Sequence, residues 1–427
     1  MHLHLIDLSV IVIVLGGIGL LLDVYVYMGL KTLTNDWKSP WLRRLVIFGC
    51  LAPDFIITVL CGFFTHDIGL PKVMGPFYEW ILSLFLTFLV TKLVFALVLF
   101  IGDSGRFFKG IIRHFKKPKT KKTAPFFPAR RKFISQAAVA AAAVPFGSLF
   151  YAMLKGKYNF KLHKQEIYFD DLPDAFDGFT ITQISDIHSG SFDNAEAVQR
   201  GINLAKAQKS DLFVFTGDLV NGVSEEIVPY LKAFSELKAP FGQFSILGNH
   251  DYGEYVYWRT DADKAADCAK LRDYHKTLGY RLLLDENVVV EKNGQKISLI
   301  GVQNWGRGFI QIGDLDKALI GVPEDAFKIL LSHDPTHWEE KVRFHPNTIQ
   351  LTLSGHTHGA QFGVETSAFR WSPFQYRYLD WAGLANEKNR YLYVNRGFGF
   401  LAFSGRLGIW PEVTVITLRK KGKAADQ

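Results

Sequence analysis

Three long apolar runs near the start of the chain limit what it can fold into more than any other feature. They occupy residues 5–30, 43–64 and 76–102, and a fourth, less apolar run covers 133–154. Each is as long as the roughly 20 residues that a helix needs to cross the hydrocarbon core of a membrane. After the fourth run the composition becomes that of a water-exposed domain. We therefore predict three membrane helices within 1–102, a fourth at 133–154 and a separate domain at 155–427.

Positive charge is concentrated between the third and fourth runs. The chain has a net charge of +8, but residues 103–132 hold eleven Lys and Arg against one acidic residue, which leaves about −2 for the rest. A basic surface that could bind the phosphate backbone of a nucleic acid as a specific partner is therefore not expected. Basic loops beside membrane helices stay on the cytoplasmic side. This rule makes 103–132 a cytoplasmic loop and places residues 155–427 outside. The loop after the first run also has more basic residues than the loop after the second, which agrees with this orientation.

Arg130 and Arg131, directly before the fourth run, permit two interpretations. A pair of arginines followed by an apolar, alanine-rich segment is typical of a twin-arginine export signal. Basic residues also flank ordinary membrane helices. Both interpretations put 155–427 on the outer side of the membrane.

Within 155–427, short β-rich runs alternate with helix-like stretches at 193–208, 225–237 and 262–278. Such alternation predicts an α/β layered fold. Five of the β-rich runs end in polar blocks. These blocks contain Asp186 and His188; Asp218; Asn249, His250 and Asp251; His333 and Asp334; and His356 and His358. Because the carboxyl ends of sheet strands line one crevice, the five blocks should converge.

The chemistry of these side chains suits metal ions. Carboxylates, imidazoles and one amide favour Mn²⁺, Fe or Zn²⁺ over ions that prefer thiolates. They are too many for one tetrahedral site, so two ions bridged by one carboxylate are the simplest interpretation. His356 and His358 are separated by one residue and point apart on an extended backbone. Either the chain turns at Gly355, or each histidine serves its own ion.

The five blocks, in this order, resemble those of the calcineurin-like metallophosphoesterase superfamily, and in particular its membrane-anchored bacterial branch. The resemblance runs from about residue 179 to residue 418, and the GNHD and GHTH blocks are its most specific parts. It implies a four-layer αββα sandwich, here preceded by an all-α transmembrane anchor.

The resemblance also implies a role for each residue. The first metal would be held by Asp186, His188 and His358, the second by Asn249, His333 and His356, with Asp218 bridging the two. His250 would donate a hydrogen bond or a proton to the leaving oxygen of the substrate, with Asp251 as its orienting partner. His356 and His358 would then face different ions.

The function implied is that of a dimetal phosphohydrolase that cleaves a phosphomonoester or phosphodiester by attack of a metal-bound hydroxide. Membrane attachment favours a lipid-linked phosphate at the outer face of a bacterial inner or cytoplasmic membrane. The alternatives are a binding or scaffolding module of the same fold, and an accessory domain of a membrane sensor or transporter. The side chains of Tyr252, Tyr255, Trp258, Trp305 and Arg307 either line a substrate pocket or pack on the sheet as a lid.

Lys92 lies near the middle of the third apolar run, where a charged side chain needs a partner. Asp54 in the second run is at a similar depth, and Asp23 in the first run is the next candidate. We predict a pair between Lys92 and Asp54, against the alternative that Lys92 extends toward the basic loop.

Overall fold

The computed structural model describes residues 3–66, 75–115 and 128–422. The chain divides into two compact units. The first consists of Met1–Leu70 and Trp80–Tyr151, and the second of Pro71–Glu79 and Ala152–Gln427.

The first unit is built from four long helices. They are α1 (Leu3–Thr34), α2 (Pro40–His66), α3 (Pro76–Phe115) and α4 (Pro128–Leu154). Among the described residues, Pro76–Gly105 and Arg130–Tyr158 are long and apolar enough to cross a membrane. The expected loop at 103–132 is partly helical instead: α3 continues to Phe115 and α4 already begins at Pro128. Lys and Arg, which are frequent in this segment, have good helix propensity, and this is compatible with that extension.

Helices α1, α3 and α4 bury a common apolar cluster that includes Val26, Leu30, Phe95, Leu99 and Ala138. A buried ion pair lies inside this unit. The Nζ atom of Lys92 is 2.5 Å from Oδ1 of Asp23, and the two side chains are 5% and 13% exposed. Lys92 therefore pairs with Asp23, the second candidate of the sequence prediction. The side chain of Asp54, the first candidate, lies outside the described residues.

The second unit contains fourteen strands among its described residues. They are β1 (Lys161–Phe169), β2 (Thr180–Ile184), β3 (Leu212–Phe215), β4 (Gln243–Ser245), β5 (Arg281–Leu282), β6 (Glu286–Lys292), β7 (Gln295–Gly301), β8 (Lys328–Leu331), β9 (Leu351–Ser354), β10 (Val364–Glu365), β11 (Arg370–Trp371), β12 (Gly383–Glu387), β13 (Arg390–Val394) and β14 (Glu412–Lys420). Its helices are α5 (Ala195–Lys206), α6 (Leu231–Phe234), α7 (Asp261–Leu278), α8 (Leu315–Ala318) and α9 (Pro335–Glu340).

Two six-stranded sheets organise these strands. The first has the order β1-β14-β2-β3-β4-β5, and the second the order β12-β13-β9-β8-β7-β6. Strands β2 to β5 run parallel to one another, as do β7, β8, β9 and β13. The pair β10 and β11 forms a separate antiparallel ribbon.

Side-chain alternation along the central strands stacks the sheets face to face. Leu212 and Val214 of β3 join the same apolar cluster as Ile329 and Leu331 of β8. The intervening Phe213 of β3 packs outward, in a cluster with α5, α6 and α7. On the other side, Leu330 of β8 packs outward in a cluster with α8 and α9. Since successive side chains of a strand face opposite ways, each sheet is covered on both faces, and the predicted four-layer αββα sandwich is confirmed.

The predicted helices at 193–208 and 262–278 correspond to α5 and α7. The third, at 225–237, is mostly a 3-10 helix (Ser224–Tyr230), and only Leu231–Phe234 is α-helical. Pro229 lies inside it and has no N–H to donate, which prevents a regular α-helix over this stretch.

Candidate metal centre

The polar blocks follow parallel strands of both sheets. Strands β2, β3 and β4 of the first sheet lead into Asp186, Asp218 and Asn249, and strands β8 and β9 of the second lead into His333 and His356. The carboxyl ends of these strands point to the same edge of the sandwich, and the structure brings their polar residues together there.

Two groups of ligand atoms result, and every residue in them is buried except the partly buried His356. Asp186, His188 and His358 form one, and Asp218, His333 and His356 form the other, with the atoms of each group within 4.8 Å of one another. Asn249 belongs to the second group, because its Oδ1 lies 2.8 Å from Nδ1 of His356.

Asp218 lies between the two groups. Its Oδ2 is 3.5 Å from Nε2 of His188 in the first group and 3.1 Å from Nε2 of His333 in the second. Although burial works in the opposite direction, His333 lowers the pKa of Asp218 well below its usual value. Asp218 is therefore a carboxylate at neutral pH, as a bridging ligand must be.

The backbone of the site is unusual for residues with side chains. Asp186, His188, Asp218, His356 and His358 all have φ between 46° and 72°. Residues other than glycine rarely adopt this left-handed conformation, and where they do, a functional constraint is often the reason. At His356 and His358 the chain turns twice, so the two histidines reach different groups.

Two glycines allow the blocks to approach one another. A Cβ atom on Gly355 would lie 2.2 Å from Oδ2 of Asp186, and one on Gly248 would lie 2.2 Å from Oδ1 of Asp218. Both distances are shorter than any real contact, so any larger residue at either position would push the carboxylate out of the site.

The hydrogen bonds of the histidine rings are those expected of metal ligands. Nδ1 of His188 faces Oδ1 of Asn221 at 3.1 Å, and Nδ1 of His333 faces the carbonyl oxygen of Thr216 at 2.7 Å. Both partners accept, so each Nδ1 carries a proton and each Nε2 is the ring nitrogen that would bind an ion. Among the described residues, Nε2 of His188, His333 and His358 are buried without a hydrogen-bond partner. Buried polar atoms of this kind require an explanation, and a divalent ion provides it.

His250 has surroundings different from those of the ligand histidines. Its Nδ1 lies 2.7 Å from the carbonyl oxygen of Asn221, and its backbone N–H donates to Oδ1 of Asp218. Tyr255 stacks on its ring with centroids 4.2 Å apart. Burial lowers the pKa of His250.

The predicted role of Asp251 as the orienting partner of His250 is wrong. Its carboxylate accepts from the backbone N–H groups of Asp218, Leu219 and Gly248 at 2.8–2.9 Å, so it ties two loops of the site together. The carbonyl of Asn221 orients the ring of His250 instead.

Sequence reasoning missed several residues that contact the site. Asn221 contacts both His188 and His250, and its place in GDLVNG, three residues after Asp218, was a usable signal. The Tyr378 hydroxyl lies 2.9 Å from Nε2 of His356, and an NH2 group of the buried Arg406 lies 2.9 Å from Nδ1 of His358. These two come from irregular segments far along the chain and carry no local signal.

The aromatic residues and Arg307 have different surroundings in the structure. Tyr255 belongs to the site, because its hydroxyl accepts from Nδ2 of Asn249 at 2.8 Å. Trp305 is buried, and the centre of its ring lies 5.2 Å from that of His337. The nearby Arg307 pairs with Glu339 at 2.9 Å.

A paired cluster of carboxylates and imidazoles at the joint edge of two stacked sheets defines a metal-dependent hydrolase. Comparisons with known proteins identify its family. Residues 179–360 match the family described as "Calcineurin-like phosphoesterase", and residues 8–157 match "Probable Calcineurin-like phosphoesterase, transmembrane domain". The chain belongs to the calcineurin-like phosphoesterase family and is a metal-dependent phosphoesterase.

Individual relatives agree. The chain is 29% identical to "Uncharacterized metallophosphoesterase YkuE" of Bacillus subtilis over 68% of its own length and 98% of that protein. It is 28% identical to an uncharacterized metallophosphoesterase of Aquifex aeolicus over 64% of its length and 100% of that protein. It is also 25% identical to "Transmembrane protein with metallophosphoesterase domain" of Danio rerio, over 63% of its length and 60% of that protein.

Proposed function

We propose that the protein is a dimetal phosphohydrolase that cleaves phosphomonoester or phosphodiester bonds. Asp186, His188 and His358 would hold one ion and Asn249, His333 and His356 the other, with Asp218 shared between them. The single observation that carries this assignment is the position of Asp218, whose carboxylate lies within 3.5 Å of a histidine of each group. Two divalent ions supply an activated water and neutralise the phosphoryl oxygens.

The protein's own residues orient the reaction. His250 holds the carbonyl of Asn221 through Nδ1, which leaves Nε2 to exchange a proton with the leaving oxygen of the substrate. Tyr255 keeps the ring in place by stacking. Asp251 fixes the loops of Asp218 and Gly248 relative to each other, which preserves the distance between the ligand sets.

The donor set narrows the metals to Mn²⁺, Fe or Zn²⁺. All seven ligand residues offer nitrogen or oxygen, and Cys268 is the only cysteine of 155–427. Burial lowers the pKa of His188 to about 3, so this ring is neutral and available to a metal at physiological pH.

We further propose that the catalytic domain acts at the outer face of a bacterial inner or cytoplasmic membrane, on a lipid-linked phosphate. The basic segment 103–132 supports this orientation. Glu79, in the first turn of α3, accepts a hydrogen bond from Ser191 of the catalytic domain. This contact is expected if α3 and α4 each cross the membrane once, because two crossings return the chain to the side on which α3 begins.

The Asp218→Asn variant tests the dimetal assignment. Removing the shared negative charge leaves two cations to repel each other. We expect loss of at least one ion, measured by metal analysis, and of nearly all phosphoesterase activity. The substrates are p-nitrophenyl phosphate, bis-p-nitrophenyl phosphate and vesicles that contain phosphatidic acid. Each is assayed with Mn²⁺, Fe²⁺ or Zn²⁺ added back one at a time. Two bound ions with normal turnover in this variant would refute the assignment.

A further inference from the structure

A buried hydrogen-bond chain links the metal centre to a residue outside the matched catalytic segment. Ser191 Oγ donates to Oε1 of Glu79 at 2.8 Å, and Nδ2 of Asn221 donates to Ser191 Oγ at 2.9 Å. Oδ1 of Asn221 then faces Nδ1 of His188 at 3.1 Å. Glu79 is 1% exposed and Ser191 is fully buried. Glu79 belongs to the second unit by its contacts, although it precedes the catalytic match at 179–360 by a hundred residues.

The donor and acceptor roles along this hydrogen-bond chain are set by Glu79 at its end. Burial raises the pKa of Glu79 to about 8. Above that pH Glu79 is a carboxylate, whose oxygens only accept hydrogen bonds. Ser191 must therefore use its proton toward Glu79 and can only accept from Asn221. The amide of Asn221 is thereby fixed with Nδ2 toward Ser191 and Oδ1 toward His188. His188 must then carry its proton on Nδ1, which keeps the lone pair of Nε2 for an ion.

Without the carboxylate of Glu79, the donor and acceptor roles along the hydrogen-bond chain are not fixed. A serine hydroxyl can donate as well as accept, and an asparagine amide can turn over. With the reversed amide, Nδ2 would face Nδ1 of His188 and favour the tautomer with its proton on Nε2. That tautomer cannot bind a metal through Nε2.

The backbone around Asn221 supports the same geometry. The N–H of Asn221 donates to Oε2 of Glu226 at 2.5 Å, and the N–H groups of Gly222 and Val223 donate to Oε1 at 3.1 Å each. The loop is therefore held on its own, and only the side-chain amide of Asn221 depends on Ser191 and Glu79 for its orientation.

We propose that Glu79, at the start of helix α3, is a positioning residue of the metal centre: through Ser191 and Asn221 it fixes the metal-binding tautomer of His188. The phosphoesterase domain is then completed by a residue that lies in the transmembrane-domain match at 8–157. This inference rests on the proposed metal-ligand role of His188.

The test compares Glu79→Gln with the wild type as full-length protein in detergent at pH 8.5, where Glu79 is mostly ionised. Glutamine keeps the shape of the side chain but can donate, so the direction of the chain is lost. We expect Mn²⁺ binding, measured by titration calorimetry, to weaken by about 10–100-fold, the usual effect of losing a residue that orients a metal ligand. Activity should return at excess Mn²⁺ with an unchanged KM and thermal midpoint. Glu236→Gln, which changes a surface carboxylate paired with Lys206, should have no effect.

Ser191→Ala breaks the same chain at its middle and provides a second measurement. Because both residues act through one amide, the double variant should bind Mn²⁺ no more weakly than the worse single variant. Wild-type Mn²⁺ affinity in Glu79→Gln, or losses that add fully in the double variant, would overturn the inference. A wild type that binds no Mn²⁺ and hydrolyses no phosphoester would instead overturn the proposed function.

Discussion

His250 is held by contacts that do not depend on a metal ion. Its Nδ1 bonds to the carbonyl of Asn221 and its ring stacks on Tyr255, so the side chain stays in place whether or not ions are bound. Because neither of the two ligand groups found among the described residues includes His250, its chemistry is separable from metal binding.

His250→Ala should therefore retain two ions while kcat falls by roughly 10²–10⁴. The loss should be smaller with p-nitrophenolate as the leaving group than with an alkoxide, since a good leaving group needs less protonation. Metal analysis and steady-state kinetics on both substrate types measure this. His345→Ala, at a partly buried histidine that pairs with Asp316 and belongs to neither ligand group, is the control. Equal losses for both leaving groups would contradict the proton-donor role, and loss of metal would make His250 a ligand.

At the scale of elements, a buried ion pair joins the two sheets. Arg396, just after β13 of the second sheet, donates from a terminal guanidinium nitrogen to Oε2 of Glu412, the first residue of β14 in the first sheet, at 2.6 Å. The hydroxyl of Tyr393 donates to Oε1 of Glu412 at 2.6 Å. Burial would raise the pKa of Glu412, but Arg396 lowers it to about 2.

Glu412→Gln should lower the free energy of unfolding by about 3–5 kcal/mol, because Arg396 is left buried with one fewer counter-charge. Chemical denaturation in detergent measures this loss. Glu387→Gln is the matched control, since Glu387 pairs with Arg343 at a more exposed position and should cost less than about 1 kcal/mol.

The ion pair between Arg396 and Glu412 predicts that the free energy of unfolding depends on pH. The pKa of Glu412 is lower in the folded state than in the unfolded chain, so its contribution to stability is present above the unfolded value of about 4.5 and is lost as the pH falls toward about 2. The wild type should lose stability over this interval more steeply than Glu412→Gln. Parallel pH profiles for the two proteins would show that the pair contributes nothing.

At the scale of the whole molecule, the helical unit contains a pair of charges that a membrane would isolate from water. Lys92 of α3 and Asp23 of α1 are both largely buried in the protein. A charge left alone in hydrocarbon costs about 3 kcal/mol or more.

Lys92→Met should therefore destabilise the protein in the membrane by about that amount, and adding Asp23→Leu should recover most of the loss. The midpoint of thermal unfolding in lipid nanodiscs measures both. Lys132→Met breaks the exposed pair of Lys132 with Asp36 in the same unit and should change the midpoint little. A double variant no more stable than Lys92→Met would show that Lys92 depends on another partner.

Much of the fold could be predicted because its signals are local. The central strands are short, apolar and bounded by turns, and α5 and α7 have helical periodicity, so their type was predicted correctly. Strand β1 (KLHKQEIYF) was missed because it lies at a sheet edge with an exposed face and carries mostly polar residues. It becomes a strand by pairing with β14 along its whole length, a contact between residues some 250 positions apart that no local pattern records.

The types of residue at the ends of five strands can be read from the amino-acid sequence, and their chemistry already indicates a metal site. How those residues are supported became visible only in the folded protein. Asp251 bonds to backbone amides rather than to His250, Lys92 pairs with Asp23, and Glu79 reaches the metal centre through Ser191 and Asn221. The physical reason is that a strand and its terminal residue are specified by neighbours along the chain. A hydrogen-bond or ion-pair partner is instead specified by distance in space, and several chemically equivalent candidates become distinct only once the chain has folded.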